Sequence, residues 1–358
     1  MDGWLPVSYA ALDGWEADDH QAALACFRMS ARGFAENAHV SREAVPPSPQ
    51  LLAVAQKALR LDPSALDRET ARKFFEENFK AVRKGEKSGF VTAYFEPEVE
   101  ASRTKTSRFP YPLYGRPADL VKIDKENPPA GVTPGQEFAR KTATGHSDFP
   151  DRGSIDKGAL SGQGLELFWL KSAVEGFYIH VQGSARLSFD DGTNTRVSYA
   201  GKSGHPYTSI GKELVAQGTF TVDEANMKNM REWLDADEAR ALELLHRNRS
   251  FIFFTEVKGH NPDFGPVAAA GVQLTPGRSL AVDKSIHAYG TPVWLDTCEP
   301  LPGQSSRFRR LMMAQDTGSA IVGPERGDIF MGSGDEAGLV AGAVRHHTDF
   351  VILIPRSL

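Results

Sequence analysis

Short alternating segments separated by glycine, proline and polar turns dominate the chain from Phe90 onward, and they constrain its fold more than any other feature. They include "GFVTAYFEPEVEA", "GFYIHVQGSARLSF" and "RVSYAG". Further strands are predicted later in the chain at "SFIFFTE", "GPVAAAGVQL", "TPVWLDT", "RRLMMAQ" and "DFVILIP". Alternation of apolar and polar residues is typical of half-buried β-strands. Many short strands of this kind predict a mainly β chain built as a barrel or a sandwich.

The first part of the chain has a different pattern, with three amphipathic segments that predict helices: "DDHQAALACFRMSAR", "PSPQLLAVAQKALRL" and "PSALDRETARKFFEENFKAVRKG". Ser48 can cap the second helix, and Pro49 suits its first turn. The third is expected to start at Ser64 and stop at Gly85. We expect these helices to pack on the core rather than take part in chemistry. Two later segments, "TVDEANMKNMREWLDAD" and "DEARALELLHRN", also predict helices.

Length and composition exclude several classes of protein. A chain of 358 residues suggests two domains, because single cores stop growing at about 250–300 residues. A net charge of -5 without a dense Lys/Arg run argues against nucleic-acid binding. Cys26 and Cys298 provide neither a disulfide framework nor a zinc site. No stretch is apolar enough to span a membrane, and the first residues lack a secretory signal, so we expect a cytosolic protein or one whose signal has been removed.

The triplet Asp316-Thr317-Gly318 after an apolar run resembles the way an aspartic protease presents its catalytic aspartate. That mechanism needs a second carboxylate on a matching turn, close enough to share one proton. Asp13-Gly14 and Asp190-Asp191-Gly192 lack the required form. Retroviral-type enzymes obtain the second aspartate by dimerising, but their chains are far shorter. The protease hypothesis therefore fails for lack of a second catalytic aspartate.

A second aspartate, Asp328, follows Asp316 by twelve residues; Asp328 adjoins Gly327, Asp316 lies two residues before Gly318, and both lie near an apolar strand. Each aspartate could simply cap a turn, which is the commoner role of an Asp-Gly pair. Alternatively, a carboxyl among apolar neighbours and near another carboxylate would have a raised pKa, as a general acid near neutral pH requires. Composition leaves both readings open.

The segment "AQDTGSAIVGPERGDIFMGSGDEAGLVAG" resembles the three-aspartate ("3D") segment of the membrane-bound lytic murein transglycosylase A family. The third aspartate of that segment is then Asp283, in "SLAVDKSIHAYGTPVWL". Further blocks occur in the family's order, namely "GFVTAYFEPEVEASR" with "FPYPLYGRP", "HVQGSARLSFDDGTNTRVSYAGKSGHPYTSIGKEL" and "NRSFIFFTE". The resemblance extends from Gly89 to Pro355.

The resemblance implies a fold that is mainly β with N-terminal helices. A large double-psi β-barrel domain would be built from residues 1–104, which include those helices, and from residues 247–358, which hold the 3D segment. A smaller β-domain, residues 105–246, would be inserted between these parts. The Pro-rich stretch "ENPPAGVTPGQEFARKTATGHSDFPDRGS" would be a loop of that inserted domain. The substrate would lie in a groove between the two domains.

The function implied by the resemblance is that of an exolytic transglycosylase of peptidoglycan, although the residues themselves leave endolytic action open. It would cleave the β-1,4 bond between N-acetylmuramic acid and N-acetylglucosamine without water and leave a 1,6-anhydromuramoyl end. One aspartate can suffice, because the tethered C6 hydroxyl of the sugar replaces a second catalyst. By position that acid and base is Asp328, with Asp316 as its orienting or pKa-setting partner and Asp283 in support.

Polar and aromatic residues in glycine-rich segments would form the glycan-binding surface. Aromatic faces and hydroxyls for sugar rings would come from Tyr94, Tyr199 and Tyr207. The other candidates are Gln182, Gly183, Ser184, Lys202 and Ser209, together with Asp283. For any single one of them, a packing or turn role is an equally good explanation. Ala185 departs from the family pattern, where glycine is expected, and the lipid-attachment cysteine is missing.

We expect no metal and no cofactor. The ten histidines include the adjacent pair His346 and His347, but no His-x-x-x-His or cysteine pairing completes a tetrahedral set. The expected partners are peptidoglycan glycan strands and, by resemblance, cell-wall enzyme complexes, with a monomeric, periplasmic, outer-membrane-associated protein. Two alternative functions stay open, namely a peptidoglycan hydrolase that uses a second carboxylate and a non-catalytic wall-binding module.

Overall fold

The structure, a computed structural model, describes residues 3–62, 66–85, 89–259 and 261–356. The chain divides into two compact units. Unit 1 combines Met1–Phe95 with His260–Leu358, and unit 2 is the intervening segment Glu96–Gly259.

The described part of the chain contains mostly strands, with helices at its beginning, in its middle and, as α9, near its C-terminus. The helices are α1 His20–Ala35, α2 Pro49–Arg60, α3 Arg68–Asn78, α4 Arg152–Ser154 (which continues into a π-helical turn, Ile155–Ala159), α5 Ala173–Gln182, α6 Ile210–Ala216, α7 Met227–Asp235, α8 Glu238–Arg247 and α9 Gly334–Ala341. The strands are β1 Trp4–Val7, β2 Phe79–Lys84, β3 Gly89–Glu96, β4 Glu98–Ser102, β5 Tyr111–Tyr114, β6 Leu120–Lys122, β7 Phe138–Thr142, β8 Gly145–Ser147, β9 Glu166–Leu170, β10 Ser184–Ser188, β11 Asn194–Lys202, β12 Ile252–Val257, β13 Ser279–Val282, β14 Pro292–Pro300, β15 Arg307–Asp316, β16 Arg326–Ser333 and β17 Arg345–Pro355.

Unit 1 is organised around one mixed sheet with the strand order β1-β2-β17-β14-β15-β13-β16-β3. Strand β3 also pairs with β17, so hydrogen bonding runs from β17 through five further strands and back to β17. Strands β13 and β15 are parallel, whereas β13 and β16 are antiparallel. The strands near the C-terminus are thereby paired with β2 and β3, which are remote from them in sequence.

Helices α1, α2 and α3 cover this sheet, as the sequence predicts. Their apolar faces bury Leu24, Phe27 and Phe75 in one cluster with Trp294 and Val351 of the sheet. Each helix has a side-chain cap, because Asp19, Ser48 and Asp67 accept hydrogen bonds from the first-turn backbone. A second cluster, to which β2, β3 and the strands β13 to β17 contribute, contains Leu280, Leu295, Phe308, Ile329 and Phe350.

Unit 2 contains a six-stranded sheet of order β12-β11-β10-β4-β9-β5 and a three-stranded sheet of order β6-β7-β8. Strands β4 and β12 belong here because they pair with β10, β9 and β11. Helices α5 to α8 form their own apolar cluster, which includes Phe177, Leu214, Leu234 and Leu244. The Pro-rich stretch predicted as a loop also lies in unit 2 and carries β7 and β8.

The mainly β class is confirmed, and so are the predicted strands around β12, β14, β15 and β17 and the helices α1, α2, α7 and α8. No helix of the described residues has both the length and the apolar character needed to cross a membrane.

Three local predictions are wrong. The third N-terminal helix does not continue to Gly85, since Phe79–Lys84 form β2 between β1 and β17; its predicted start at Ser64 lies outside the described residues. The segment "GFYIHVQ" belongs to helix α5 rather than to a strand, because Ser172 caps it and Gly183 ends it in the left-handed conformation. In "GPVAAAGVQL" the pairing is limited to one bridge, Val267 with Gln273.

Candidate active site

Strand β13 lies between the two strands that carry the predicted catalytic pair. Ala281 is the register partner of Asp316 on β15 and of Asp328 on β16. Side chains of register partners project from the same face of a sheet. The pairing of β13 therefore brings Asp316 and Asp328 to one face of unit 1, on either side of a small residue.

The carboxyl of Asp328 is partly enclosed and bonded on one side. The Thr92 hydroxyl of β3 makes a short hydrogen bond to Asp328 Oδ1, and Arg326 Nη2 donates to Thr92 Oγ1 at 2.7 Å. Burial raises the pKa of Asp328 to about 6, against the opposing effects of Thr92 and Arg326 and with a further upward contribution from the charge of Asp316. At pH 7 an unperturbed aspartate is protonated about once in a thousand molecules, whereas a pKa of about 6 gives roughly one in ten.

The carboxylate of Asp316 accepts three hydrogen bonds. Oδ2 receives the Tyr94 hydroxyl at 2.8 Å, and Oδ1 receives the backbone N–H groups of Ala269 at 3.1 Å and Thr317 at 2.9 Å. Burial raises the pKa of Tyr94 well above its usual value, and the charge of Asp316 adds to this rise. Tyr94 is therefore a permanent hydrogen-bond donor to Asp316, and Asp316 is oriented as an acceptor.

Asp283 anchors the loop that connects Asp316 to Asp328. Its carboxylate accepts hydrogen bonds from Ser285 N at 2.9 Å, Ser285 Oγ at 2.6 Å and Gly323 N at 2.7 Å. Burial raises the pKa of Asp283, but these hydrogen bonds outweigh burial and lower it. Gly323 has φ +118°, which favours glycine. The geometry thus favours a loop-positioning role for Asp283 over direct contact with a substrate.

Helix α1 anchors the end of β15 immediately before Asp316. The Gln315 amide donates to Cys26 O at 3.1 Å and to Ser30 Oγ at 2.8 Å, while Ser279 Oγ donates to Gln315 Oε1 at 2.6 Å. These groups are buried, where unmade hydrogen bonds are costly. The N-terminal helix therefore fixes the strand that presents Asp316, which agrees with a packing role for this helix.

The structure brings Tyr94, Asp283, Asp316 and Asp328 together in unit 1, whereas the other predicted substrate-binding residues belong to unit 2. There, Gln182 ends α5, and Gly183 provides its left-handed C-terminal residue, with its N–H bonded to Ile179 O at 2.8 Å. Ser184 is buried and opposes Ser198 in the ladder. Tyr199 is joined to this corner because its N–H donates to Gly183 O at 2.9 Å.

The remaining three predicted residues lie at or beyond the end of β11. Lys202 Nζ is 2.7 Å from Glu137 Oε2. Ser209 caps α6, with its Oγ accepting from Lys212 N at 3.4 Å. Tyr207, by contrast, is 49% exposed, although burial of its hydroxyl raises its pKa. Turn, cap and ion-pair roles thus account for several of these residues without a substrate.

Sequence reasoning missed Thr92, which donates a hydrogen bond to Asp328, and Arg326, which donates one to Thr92. A signal for both existed, because residues two apart in a strand share a face. Thr92 stands two positions before Tyr94 in β3, and Arg326 two positions before Asp328 in β16. What the sequence did not contain was the pairing of β3 with β16.

Within the described residues, no group of three or more His, Cys, Asp or Glu side chains could hold a metal ion. His346 and His347 are successive residues of β17, where the ring of His347 packs edge-on against Phe90. Metal independence stays a prediction, for which retained activity after chelator treatment is the test.

The fold and the candidate site define a mainly β protein in which two neighbouring carboxyls differ: Asp328 has a raised pKa, and Asp316 accepts three hydrogen bonds. Family profiles match this chain at residues 90–255, described as the MltA specific insert domain, and at residues 278–354, described as the 3D domain. A crystal structure of a membrane-bound lytic murein transglycosylase from Agrobacterium tumefaciens is 42% identical, covers 99% of this chain and 98% of its own, and superposes with a TM-score of 0.90. The chain belongs to the membrane-bound lytic murein transglycosylase A family.

Other relatives extend this comparison. Membrane-bound lytic murein transglycosylase A of Vibrio cholerae is 35% identical over 276 residues, which are 73% of this chain and 65% of that protein. The chain thus spans slightly less than two thirds of the length of this curated relative. The structure of Escherichia coli MltA with bound chitohexaose is 27% identical, covers 100% of this chain and 96% of its own, and has a TM-score of 0.70.

Proposed function

We propose that this protein is a lytic transglycosylase of peptidoglycan. It cleaves the β-1,4 bond between N-acetylmuramic acid and N-acetylglucosamine and leaves a 1,6-anhydromuramoyl end without consuming water. Membership of the family supports the class of reaction. The observation that carries the proposal is the contrast between a carboxyl with a pKa of about 6, Asp328, and a neighbouring carboxylate whose oxygens already accept three hydrogen bonds, Asp316.

In the first half of the reaction, Asp328 acts as a general acid. It gives its proton to the oxygen that links the two sugars, the C1–O bond of N-acetylmuramic acid breaks, and positive charge develops at C1. A carboxyl that is protonated in about a tenth of molecules at pH 7 is a competent acid under physiological conditions.

In the second half, the C6 hydroxyl of the same muramic acid attacks C1. The new bond closes the 1,6-anhydro ring, and the Asp328 carboxylate accepts the hydroxyl proton, so the acid is regenerated. An intramolecular nucleophile reaches effective molarities of about 10⁵ M or more when it is well oriented. One carboxyl therefore suffices, whereas ordinary glycosidases need two.

Asp316 supports this cycle electrostatically. Its negative charge raises the pKa of Asp328 and stabilises positive charge at the sugar, while Tyr94 holds it in place. Asp283 secures the connection that contains Gly323. We propose the two catalytic roles for Asp328 and Asp316 and a positioning role for Asp283.

We further propose that unit 2 is the smaller inserted domain, predicted above as residues 105–246, and that unit 1 is a double-psi β-barrel. The return of strand pairing from β3 to β17 supports a barrel. The proposed glycan-binding residues of unit 2 are Gln182, Gly183, Ser184, Tyr199, Lys202, Tyr207 and Ser209, and Tyr94 is a proposed glycan-binding residue of unit 1. The 49% exposure of Tyr207 supports this set, as does a relative whose structure contains bound chitohexaose, a β-1,4-linked sugar chain. By the names of its relatives, we propose a periplasmic, membrane-associated location.

Mass spectrometry of the soluble products from purified peptidoglycan tests the reaction. Wild type is compared with Asp328→Asn and with Asp335→Asn, a matched control at an exposed aspartate of the same segment. We expect wild type and control to release products one water lighter than reducing-end muropeptides. We expect Asp328→Asn to release at least about a thousandfold less while still binding the wall.

The alternatives give different results. Reducing-end products that contain heavy oxygen from labelled water would mean a hydrolase with a second carboxylate. No products from wild type, together with retained binding to peptidoglycan, would mean a wall-binding module. Substantial cleavage by Asp328→Asn would reject Asp328 as the acid.

A further inference from the structure

Asp328 is the last member of a hydrogen-bonded series of three polar side chains. Sequence reasoning identified Asp328 but not the other two members. This hydrogen-bonded series begins at Arg326, whose Nη2 lies 2.7 Å from Thr92 Oγ1. The same Thr92 oxygen makes the short hydrogen bond to Asp328 Oδ1. Thr92 and Arg326 reach this point from β3 and β16, two strands that pair with each other.

The chemistry of the three groups fixes the direction of these hydrogen bonds. A guanidinium group has only donors, so the oxygen of Thr92 must accept from Arg326. A threonine hydroxyl has one proton, and its oxygen becomes a weaker acceptor and the hydroxyl a better donor beside a positive charge. The Thr92 proton is therefore directed at Asp328 Oδ1, which acts as the acceptor.

A carboxylic acid carries its proton on one oxygen. If Oδ1 accepts from Thr92, the favoured position of the acid proton is Oδ2, which has no hydrogen-bond partner within the part of the chain that the structure describes. We propose that Arg326 and Thr92 are positioning residues that keep the acid proton of Asp328 on Oδ2, so that the glycosidic oxygen is protonated from this oxygen. This proposal rests on the proposed function and adds which atom delivers the proton.

The charged and titratable groups around Asp328 agree with this arrangement. Arg326 on β16 and the hydroxyl of Thr92 on β3 lower the pKa of Asp328, Asp316 on β15 raises it, and burial raises it most. Another titratable neighbour, Tyr94, stays protonated because its own pKa is raised. Loss of Thr92 therefore removes a hydrogen bond that favours the carboxylate, and the pKa of Asp328 should rise.

The first test replaces Thr92 by valine, which has nearly the same shape but no hydroxyl, and by serine, which keeps the hydroxyl. Thr255→Val, at an exposed strand threonine of unit 2, is the matched control. The carboxyl resonance of Asp328 is followed by NMR against pH with isotope-labelled aspartate, and Asp328→Asn identifies the signal. We expect an about tenfold higher proton affinity of Asp328 in Thr92→Val and values near wild type in Thr92→Ser and Thr255→Val.

The same variants are assayed for anhydro product over a range of pH. We expect kcat of Thr92→Val to fall by about 10- to 100-fold, with KM little changed and the pH optimum moved upward. Thr92→Ser should recover most of the activity. A purely structural role would lower activity without moving either the pH optimum or the Asp328 titration, provided that thermal melts show folded proteins.

Arg326 provides a second, independent test. Arg326→Gln should raise the proton affinity of Asp328, and adding it to Thr92→Val should lower kcat by clearly less than the product of the two single effects, because Arg326 acts through Thr92. Full additivity, or an unchanged titration in Thr92→Val, would overturn the proposal. Failure of the proposed function is distinguishable, because then wild type itself would form no anhydro product while the Asp328 titration could still respond to Thr92.

Discussion

Two regions of this molecule have similar composition and different organisation. The segment of unit 1 around the aspartates and residues 182–209 of unit 2 are both rich in glycine, polar and aromatic residues. In unit 1 the decisive contacts are long-range: Thr92 meets Asp328 across 236 positions, and Tyr94 meets Asp316 across 222. In unit 2 many contacts are local, as in the cap that Ser209 makes to Lys212, three residues away.

This difference separates a glycine-rich turn region from the region of unit 1 that we propose to be catalytic. A cap or a C-terminal glycine uses its hydrogen-bonding capacity within its own element, as Ser209 and Gly183 do. At Asp328, side chains from separate strands meet at one carboxyl and leave one oxygen unbonded among the described residues. Convergence from distant strands, rather than local composition, is therefore the mark of the site.

Among the variants that test this contrast between the two regions, Asp316→Asn should have the largest effect on kcat. Asp316→Asn removes the negative charge but keeps the shape, so we expect kcat to fall by about 100-fold, since one preorganised charge contributes about 3 kcal/mol. Tyr94→Phe removes only the hydrogen bond to Oδ2 and should cost about tenfold. Steady-state kinetics on soluble glycan strands provides the measurement. Equal losses in both variants would mean that orientation, and not charge, is what Asp316 contributes.

A smaller effect concerns stability. The pKa of Asp328 is about 6 in the folded protein and about 3.9 when unfolded. Between these two pH values the folded state holds a proton that the unfolded state has lost. Protonation of Asp328 therefore stabilises the fold fully below about pH 4, and this stabilisation is lost as the pH rises through about 6. Asp328→Asn has no such loss. We expect the variant to exceed wild type by about 1–3 kcal/mol in free energy of unfolding at pH 7.

Denaturant melts at pH 7 and pH 4 check this expectation. The advantage of Asp328→Asn should shrink almost to zero at pH 4, where wild type is protonated too. For Asp335→Asn, at an exposed aspartate, the difference from wild type in free energy of unfolding should be the same at pH 7 and at pH 4. An advantage of the same size at both pH values would contradict the raised pKa.

The smallest expected effect is in unit 2, at Lys202. Lys202→Met and Glu137→Gln both break the ion pair between these residues, so each should lose at most about 1 kcal/mol of stability. Only Lys202→Met removes a potential ligand of the glycan, and we expect it to raise KM about threefold, by about 0.7 kcal/mol. Identical KM values for the two variants would leave Lys202 with a structural role and strengthen the contrast with unit 1.

The sequence predicted those elements whose local pattern agrees with their packing. Ser48 and Pro49 indicate the start of helix α2, and the short apolar runs "SFIFFTE" and "DFVILIP" predict strands β12 and β17. Prediction failed where long-range pairing overrides the pattern. Phe79–Lys84 continues a helical sequence but forms β2, because β1 and β17 offer it backbone partners on both sides.

The same reason limits prediction of the site. Asp316 and Asp328 stand out in the sequence through their glycine neighbours and, above all, through the resemblance of several blocks to one family. Thr92 and Arg326 do not, because their importance depends on the pairing of β3 with β16. The hydrogen bonds of Asp283 to Ser285 and Gly323 likewise required the folded connection.

Strand β13 has a consequence for how this region tolerates change. Ala281 is the register partner of both Asp316 and Asp328. The distance between the two carboxyls is therefore set by strand pairing and not by the number of residues between them in the sequence. The tip of the connection at Val322 is 71% exposed. Insertions at that tip can therefore accumulate during evolution or engineering while the distance between the two carboxyls stays constant, whereas a single-residue slip of β13 would turn its side chains to the opposite face.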